Sequence, residues 1–208
     1  MASPTLEVFF DCSSPWTYLA FHNIRPMAKA LDVTITWKPI LVGGIFNSVN
    51  PSVYEQRANP VPAKGRYMGK DLRDWARFSG IEIIFPPKVF PVNSVKAMRG
   101  CIWLLEQGAP VMEAFADRVF RAYWSENRDI SQDAEIAAIL DELGLEETAF
   151  FAAIGEQKYK DALKANTEAV IARGGFGSPT IFVNGDDMYF GNDRLVLIEA
   201  ALKRGRSG

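Results

Sequence analysis

No apolar run in this chain of 208 residues approaches the ~20 needed to cross a bilayer, and the amino terminus, MASPTLEVFF, carries no basic residues ahead of its apolar ones. That pattern predicts neither a membrane span nor export, and the cytoplasm is the expected location. Cysteine is scarce: Cys12 and Cys101 share neither metal-ligand nor redox spacing, so both are read as unpaired in a reducing compartment and no metal centre is expected. Cys12 is either an auxiliary thiol or, more commonly for such a position, a buried turn residue. Histidine occurs once, as His22, and no Gly-x-Ser-x-Gly elbow accompanies it, which leaves a serine–histidine nucleophile poorly supported. Excess basic charge is missing too: 23 Lys and Arg face 25 Asp and Glu, for a net charge of −2. A short Lys203-Arg204-Gly205-Arg206 tail makes no broad field for phosphates, so a nucleic-acid partner is not expected. Linkers and low-complexity stretches are absent as well. What remains, 48% hydrophobic and 12% aromatic, suffices for one folded unit with a sizeable core and room for two lobes.

The chain is organised around residues 6–31. Leu6, Val8 and Phe10 alternate with Glu7, Phe9 and Asp11, the period of a strand, whereas Ala20, Ile24, Met27 and Leu31 recur at helical spacing. The change of period falls at Cys-Ser-Ser-Pro. Pro15 suits the first helical position, where a missing N–H costs nothing, and Ser14 becomes the N-cap. A hydroxyl there sits on the positive end of a helix dipole, a place that favours an anion such as a thiolate. Taken alone, the same residue reads more readily as a plain capping serine with no chemistry.

After this helix, which Pro26 is expected to kink or divide, Val33, Ile35 and Trp37 predict a second strand and hence a parallel β-α-β unit. Ser14 would then lie at the carboxyl end of the first strand, where open α/β sheets bind ligands. Gly43 to Lys64, punctuated by Asn and Pro, reads as one long irregular loop covering or binding something. Helical periods follow from Arg66: Met68, Leu72 and Trp75; Val95, Met98, Ile102 and Leu105; Met112, Phe115, Val119 and Tyr123; Ile136, Ile139, Leu140 and Leu143, capped at Ser131; and a last helix from Tyr159 to Arg173. Trp103 and Tyr123 are assigned to core, and Trp124, ahead of a polar turn, is left open between core and substrate wall. From Gly174-Gly175 the pattern reverts to a hairpin around Asn184-Gly185, then a final amphipathic helix. The order β-α-β, helices, β-β-α is that of a thioredoxin-like α/β fold with an inserted helical domain: residues 1–45 and 175–208 form the first, residues 46–174 a connecting loop and the insert.

Ser14-Pro15-Trp16-Thr17 has the shape of a redox Cys-Pro-x-Cys with oxygen in place of both sulfurs. Together with AKG and KDLRDWARFSGIEIIFP within residues 63–86, FRAYWSENRDI at 120–130, FGSPTIF at 176–182 and FGNDRL at 190–195, it resembles the DsbA-like branch of the thioredoxin superfamily. Within that branch the likeness is to the glutathione-dependent group of kappa-class glutathione transferases and 2-hydroxychromene-2-carboxylate isomerases. The resemblance implies a cis Ser178-Pro179 bond, where base rates alone favour trans, with the Ser178 backbone pairing the cysteinyl part of glutathione. It implies Ser14 as the catalytic donor to a thiolate. Asn192 and Asp193 would hold the γ-glutamyl end, Lys64 the glycyl carboxylate, and Asn59 a further loop contact. Trp16, Arg66 and Trp124 are assigned to the substrate pocket, with its cation not identified.

Glutathione is thus the implied cofactor, and the implied activity is isomerisation of a small aromatic carboxylate in aromatic catabolism, by a homodimer. FGNDRL resembles the isomerases more, FRAYWSENRDI the transferases as well. A transferase or peroxidase that consumes glutathione, and a thiol-peptide binding module without catalysis, stay open beside it.

Overall fold

The computed structural model describes residues 4–207, with side chains to Arg204. Strand β1 (Leu6–Phe10), helix α1 (Pro15–Ala30) and strand β2 (Ile35–Pro39) form the expected parallel unit, with Leu6 opposite Ile35 and Phe10 opposite Pro39. Strand β3 (Thr180–Val183) pairs antiparallel with the other edge of β1, and β4 (Asp187–Phe190) closes a sheet of order β2-β1-β3-β4. Asn184 and Gly185, at φ 51° and 99°, make the turn between β3 and β4, as an Asn-Gly pair suits.

Because β1 is paired on both edges and covered on both faces, its alternation does not separate core from solvent. Phe9, placed by period on the polar face, packs with Ile40, Ile45, Phe182 and Val170. Leu6, Val8 and Phe10 face the larger core. There Phe10, Phe21 and Trp37 meet at centroid separations of 4.6–5.5 Å, and Phe21 and Tyr18 meet Phe120 at 5.2 and 5.3 Å. Each such ring fully removed from water contributes about 1.5–3 kcal/mol. Phe120 comes from the helical segment, so these contacts seat that segment on α1.

Eight helices lie between β2 and β3: α2 (Val42–Ser48), α3 (Ser52–Ala58), α4 (Pro62–Ser79), α5 (Val95–Leu105), α6 (Ala109–Trp124), α7 (Asp133–Glu142), α8 (Glu147–Gly155) and α9 (Gln157–Ala172). Helix α10 (Leu195–Ser207) ends the chain. Of the eight, α9 supplies Val170 to the second face of the sheet.

Several local expectations are corrected. Gly43 to Lys64 is not one irregular loop but α2, α3 and the start of α4. Its prolines begin helices instead of breaking them, Pro51 capping α3 and Pro62 opening α4. Glycine suits position 44 of α2 despite its low helix propensity, because a Cβ there would lie 3.3 Å from the Thr167 methyl of α9. Helix α1 is not divided: it runs through Pro26, whose ring is exposed. Ser131 does not cap α7; Gln132 holds that position, and the Ser131 hydroxyl bonds Asp129 Oδ1 at 2.6 Å. Helix α8 has no counterpart among the periods read from the sequence. Glu146 caps it by accepting from Ala149 N–H at 3.0 Å. No helix among the described residues is long and apolar enough to cross a membrane.

Candidate functional site

Ser14 caps α1 in extended backbone (φ −113°, ψ 125°), with Pro15 opening the helix. Its Oγ accepts from Thr17 N–H at 3.3 Å and donates to the Ser178 carbonyl at 3.2 Å. The hydroxyl is therefore engaged in both directions. At 9% exposure it is still within reach of a group arriving from outside. The Ser178-Pro179 bond is cis, as expected.

Ser178 does more than present its backbone. Its Oγ accepts from Asp11 N–H at 3.0 Å and shares a hydrogen bond with Thr17 Oγ1 at 2.8 Å. Three hydroxyls, Ser14, Thr17 and Ser178, thus lock the start of α1 to the start of β3. Beneath them lies Asp11, only 1% exposed, whose carboxylate accepts from Ser13 N–H at 2.9 Å and from Val42 N–H at 2.8 Å. Burial pushes its pKa up, while these bonds and one to the Ser94 hydroxyl pull the other way.

The chain continues from Pro179 to the last helix by one further bond, Gly191 N–H to the Pro179 carbonyl at 3.2 Å. Gly191 has φ 100°, and a Cβ there would meet Asp193 Oδ1 at 2.9 Å, so glycine is required. Asn192, Asp193 and Arg194 form a 3-10 turn leading into α10. Asn192 is 3% exposed; its Oδ1 accepts from Asn23 Nδ2 at 3.2 Å, while its own Nδ2 has no partner among the described residues. A buried amide N–H left unpaired costs about 1–3 kcal/mol, and a native structure that tolerates one invites a ligand there. Asn23 Nδ2 also donates to Ser79 Oγ at 2.9 Å, joining α1 to the end of α4. Asp193 is half-exposed and pairs with Arg194 at 2.7 Å.

Hydrogen bonds thus join Ser14 to Ser178, and Pro179 through Gly191 to the turn that carries Asn192 and Asp193. Lys64, in the first turn of α4, Asn59, ending α3, and Arg66 are exposed, and no hydrogen bond or ion pair ties their side chains to this cluster among the described residues. Trp16 is half-buried in the first turn of α1. Trp124 is not a substrate wall. It is fully buried, its indole N–H donating to the Cys12 carbonyl at 2.9 Å and its ring packed on Tyr123, Phe85 and Phe90. Cys12 is the buried turn residue of the two options, its thiol pushed well up by burial and by the neighbouring Cys101. His22 lies further along α1 and is not among the partners of Ser14 Oγ.

Two residues went unread. Asp11 was visible only as part of a motif, although an acid directly after a buried Phe-Phe is itself a signal, since a lone carboxylate is not put in a core without donors. Asn23 is hidden among helical residues; its signal is a poor helix former on the face that carries Leu19 and Met27 one turn to either side.

These features define a thioredoxin-like protein in which hydroxyls occupy both positions of the redox dithiol. The chain belongs to the DsbA-like thioredoxin family, whose sequence profile, described as a DSBA-like thioredoxin domain, matches residues 5–203. It is 30% identical over 203 residues to a 2-hydroxychromene-2-carboxylate isomerase of Pseudomonas putida, covering 96% of this chain and 94% of the relative. It is 28% identical over 204 residues to a kappa-class glutathione S-transferase of Homo sapiens, covering 93% and 88%. A solved structure of a 2-hydroxychromene-2-carboxylate isomerase superposes with a TM-score of 0.80 at 28% identity, over 96% of this chain and 95% of that one.

Proposed function

We propose that this chain is a glutathione-dependent isomerase interconverting 2-hydroxychromene-2-carboxylate and trans-o-hydroxybenzylidenepyruvate. The observation that carries the glutathione part is the unpartnered Nδ2 of buried Asn192, one backbone bond away from the Ser14–Ser178 pair. The donor set fits a γ-glutamyl thiol: an amide N–H and a helix start for its carboxylate, the Asp193 carboxylate for its ammonium, and a hydroxyl for its sulfur. The choice of isomerisation rests on likeness to the isomerases.

Glutathione, when bound, supplies a thiolate that adds reversibly to an electron-poor carbon, making a double bond single long enough to rotate. Ser14 supports the charged sulfur. In the free protein its proton points to the Ser178 carbonyl, so serving a thiolate requires the hydroxyl to turn, exchanging a neutral acceptor for a charged and stronger one. The Ser178 carbonyl so released can accept the cysteinyl N–H, which keeps both partners satisfied. Thr17 N–H stays on Ser14 Oγ throughout and adds helix-start polarisation. Ser14 is not itself a nucleophile here, because no base contacts its Oγ.

Ser14→Ala should raise the pKa of the bound thiol by roughly one to two units, the equivalent of one hydrogen bond to a charged group. Thiolate absorbance across pH in both proteins measures it, beside an isomerisation assay with catalytic glutathione. An identical thiol pKa, or a covalent adduct on Ser14, sinks the assigned role. Turnover that stops after one equivalent of glutathione supports a transferase instead. Cytoplasmic residence and a homodimer belong to the same proposal, on the family likeness, and analytical ultracentrifugation tests the second.

A further inference from the structure

Helix α3 buries none of its residues, yet the segment around it is fastened at both ends. On one side Asn50 Nδ2 donates to the Phe176 carbonyl at 3.1 Å, in the stretch leading to Ser178. On the other, the Arg57 guanidinium stands 5.3 Å from the ring centroid of Phe90. Phe90 packs on Trp124 at 6.4 Å, and Trp124 holds the Cys12 carbonyl. The α2–α3 segment is therefore tied to the stretch before Ser178 on one side and, through Phe90 and then Trp124, to the turn at Cys12 on the other, with Arg57 near its end.

Arg57 also lies 5.9 Å from Phe46 and 6.0 Å from Tyr54, rings that meet edge to face at 6.3 Å. Among the described residues it has no carboxylate partner and no hydrogen bond. By contrast Arg25, Arg118, Arg128 and Arg173 are all paired with acids. Cation–π contacts with three rings use the charge of the guanidinium but none of its N–H groups in hydrogen bonds to an oxygen, so those donors remain available to an arriving acceptor. The acceptor that matches this fork is a carboxylate, and Tyr54 and Phe90, 41% and 37% exposed, leave ring surface for a flat apolar body beside it.

We propose that Arg57, framed by Phe46, Tyr54 and Phe90, is the subsite for the carboxylate of a planar aromatic acid. It rests on the reading of the substrate as a small aromatic carboxylate and names the cation that reading requires. Arg57 and Arg66 are both exposed, but Arg66, placed in the substrate pocket from the sequence, faces no aromatic ring among the described residues.

The test compares equilibrium binding of trans-2-hydroxycinnamate and its methyl ester, two probes of one shape that differ in charge. Wild type should bind the acid roughly 2- to 10-fold more tightly, the worth of a charge-assisted contact at a guanidinium that water partly screens. Arg57→Met should erase that preference while leaving glutathione binding unchanged, and Arg57→Lys should recover only part of it, since an ammonium cannot form the fork. A wild type that binds neither probe or does not distinguish them, an Arg57→Met protein that retains the preference, or equal weakening of acid, ester and glutathione would each overturn the subsite. The two proposals fail separately. Acid preference that follows Arg57 in a protein without isomerase activity removes the proposed reaction and keeps the subsite. Isomerisation whose KM is unmoved by Arg57→Met does the reverse.

Discussion

Replacing Asn23 by aspartate tests the glutathione reading at a residue that need not touch glutathione. In the folded chain Asn23 Nδ2 donates to Asn192 Oδ1 at 3.2 Å, which leaves Asn192 Nδ2 as the group offered outward. A carboxylate in place of the Asn23 amide would have only acceptors. The Asn192 amide then gains by turning, its Nδ2 donating to the new carboxylate and its Oδ1 taking the place where a ligand carboxylate is expected. A donor to a charged group, worth about 1.5–3 kcal/mol, becomes an acceptor facing one. Glutathione affinity should fall roughly 10- to 100-fold, since 1.4 kcal/mol is a factor of ten. Asn23→Ala, which removes the orienting bond without reversing it, should lose only a fewfold. Calorimetric titration with glutathione and with cysteinylglycine, which lacks the γ-glutamyl group, separates the site from the fold: only glutathione should weaken. Titration at high salt removes the long-range share of the new charge. Equal weakening of both thiols would mean general damage to the α1–α4 contact. Unchanged glutathione binding in Asn23→Asp would mean that the two amides pair the other way round, and the outward donor at Asn192 would be refuted.

Asp193→Ala should weaken glutathione by about 1 kcal/mol, the lower end for a charged contact because the side chain is half-exposed and already paired with Arg194; calorimetry showing no change would move the γ-glutamyl ammonium elsewhere. Asp11 has a folded pKa raised above the ordinary 3.8, so the folded state binds the extra proton between those two values, and the stability this contributes is whole below that window and lost as pH rises through it. Urea unfolding across pH should therefore show Asp11→Asn gaining on wild type as pH rises through the window, and a difference independent of pH would remove the linkage. Ser14→Cys should trap glutathione as a mixed disulfide under oxidising conditions, visible by mass spectrometry, because Thr17 offers no second thiol to resolve it.

The period changes at residues 10–15 and 174–180 were legible because strand and helix patterns meet there at proline and glycine, and the sheet and α1 follow from them. The segment from Gly43 to Lys64 was not. Its helices are too short to show a period, and their cause lies in distant residues: Thr167 shapes the space at Gly44, and Asp11 holds the Val42 N–H. In the site, single residues with a strong local signature were readable, such as Ser14 before Pro15 and Asn192-Asp193 before a helix. Partnerships were not, because Asn23 with Asn192 and Thr17 with Ser178 lie far apart in sequence and each alone resembles ordinary helix or strand polarity. Trp124 shows the opposite error. A polar turn after it suggested exposure, whereas its one polar atom is used to satisfy the buried Cys12 carbonyl.

The three hydroxyls make the absence of a dithiol a property of the whole site and not of two positions. Thr17 is 1% exposed and bonded to Ser178 Oγ, which also holds Asp11 N–H and so the end of β1. A sulfur at position 17 would have to replace a short hydroxyl bond with a weaker and longer one inside a closed space, leaving Ser178 Oγ with one fewer strong partner. A branched apolar residue at 178 would strand both the Thr17 hydroxyl and the Asp11 N–H, each costing about 1–3 kcal/mol when buried and unpaired. Thr17 and Ser178 therefore depend on each other, while Ser14 depends on the Ser178 carbonyl, which any residue supplies. Of the three, Ser14 is the hydroxyl that can change its acceptor while still capping the helix through Thr17 N–H. It is also the one whose proton is free to turn from a backbone carbonyl to a bound thiolate.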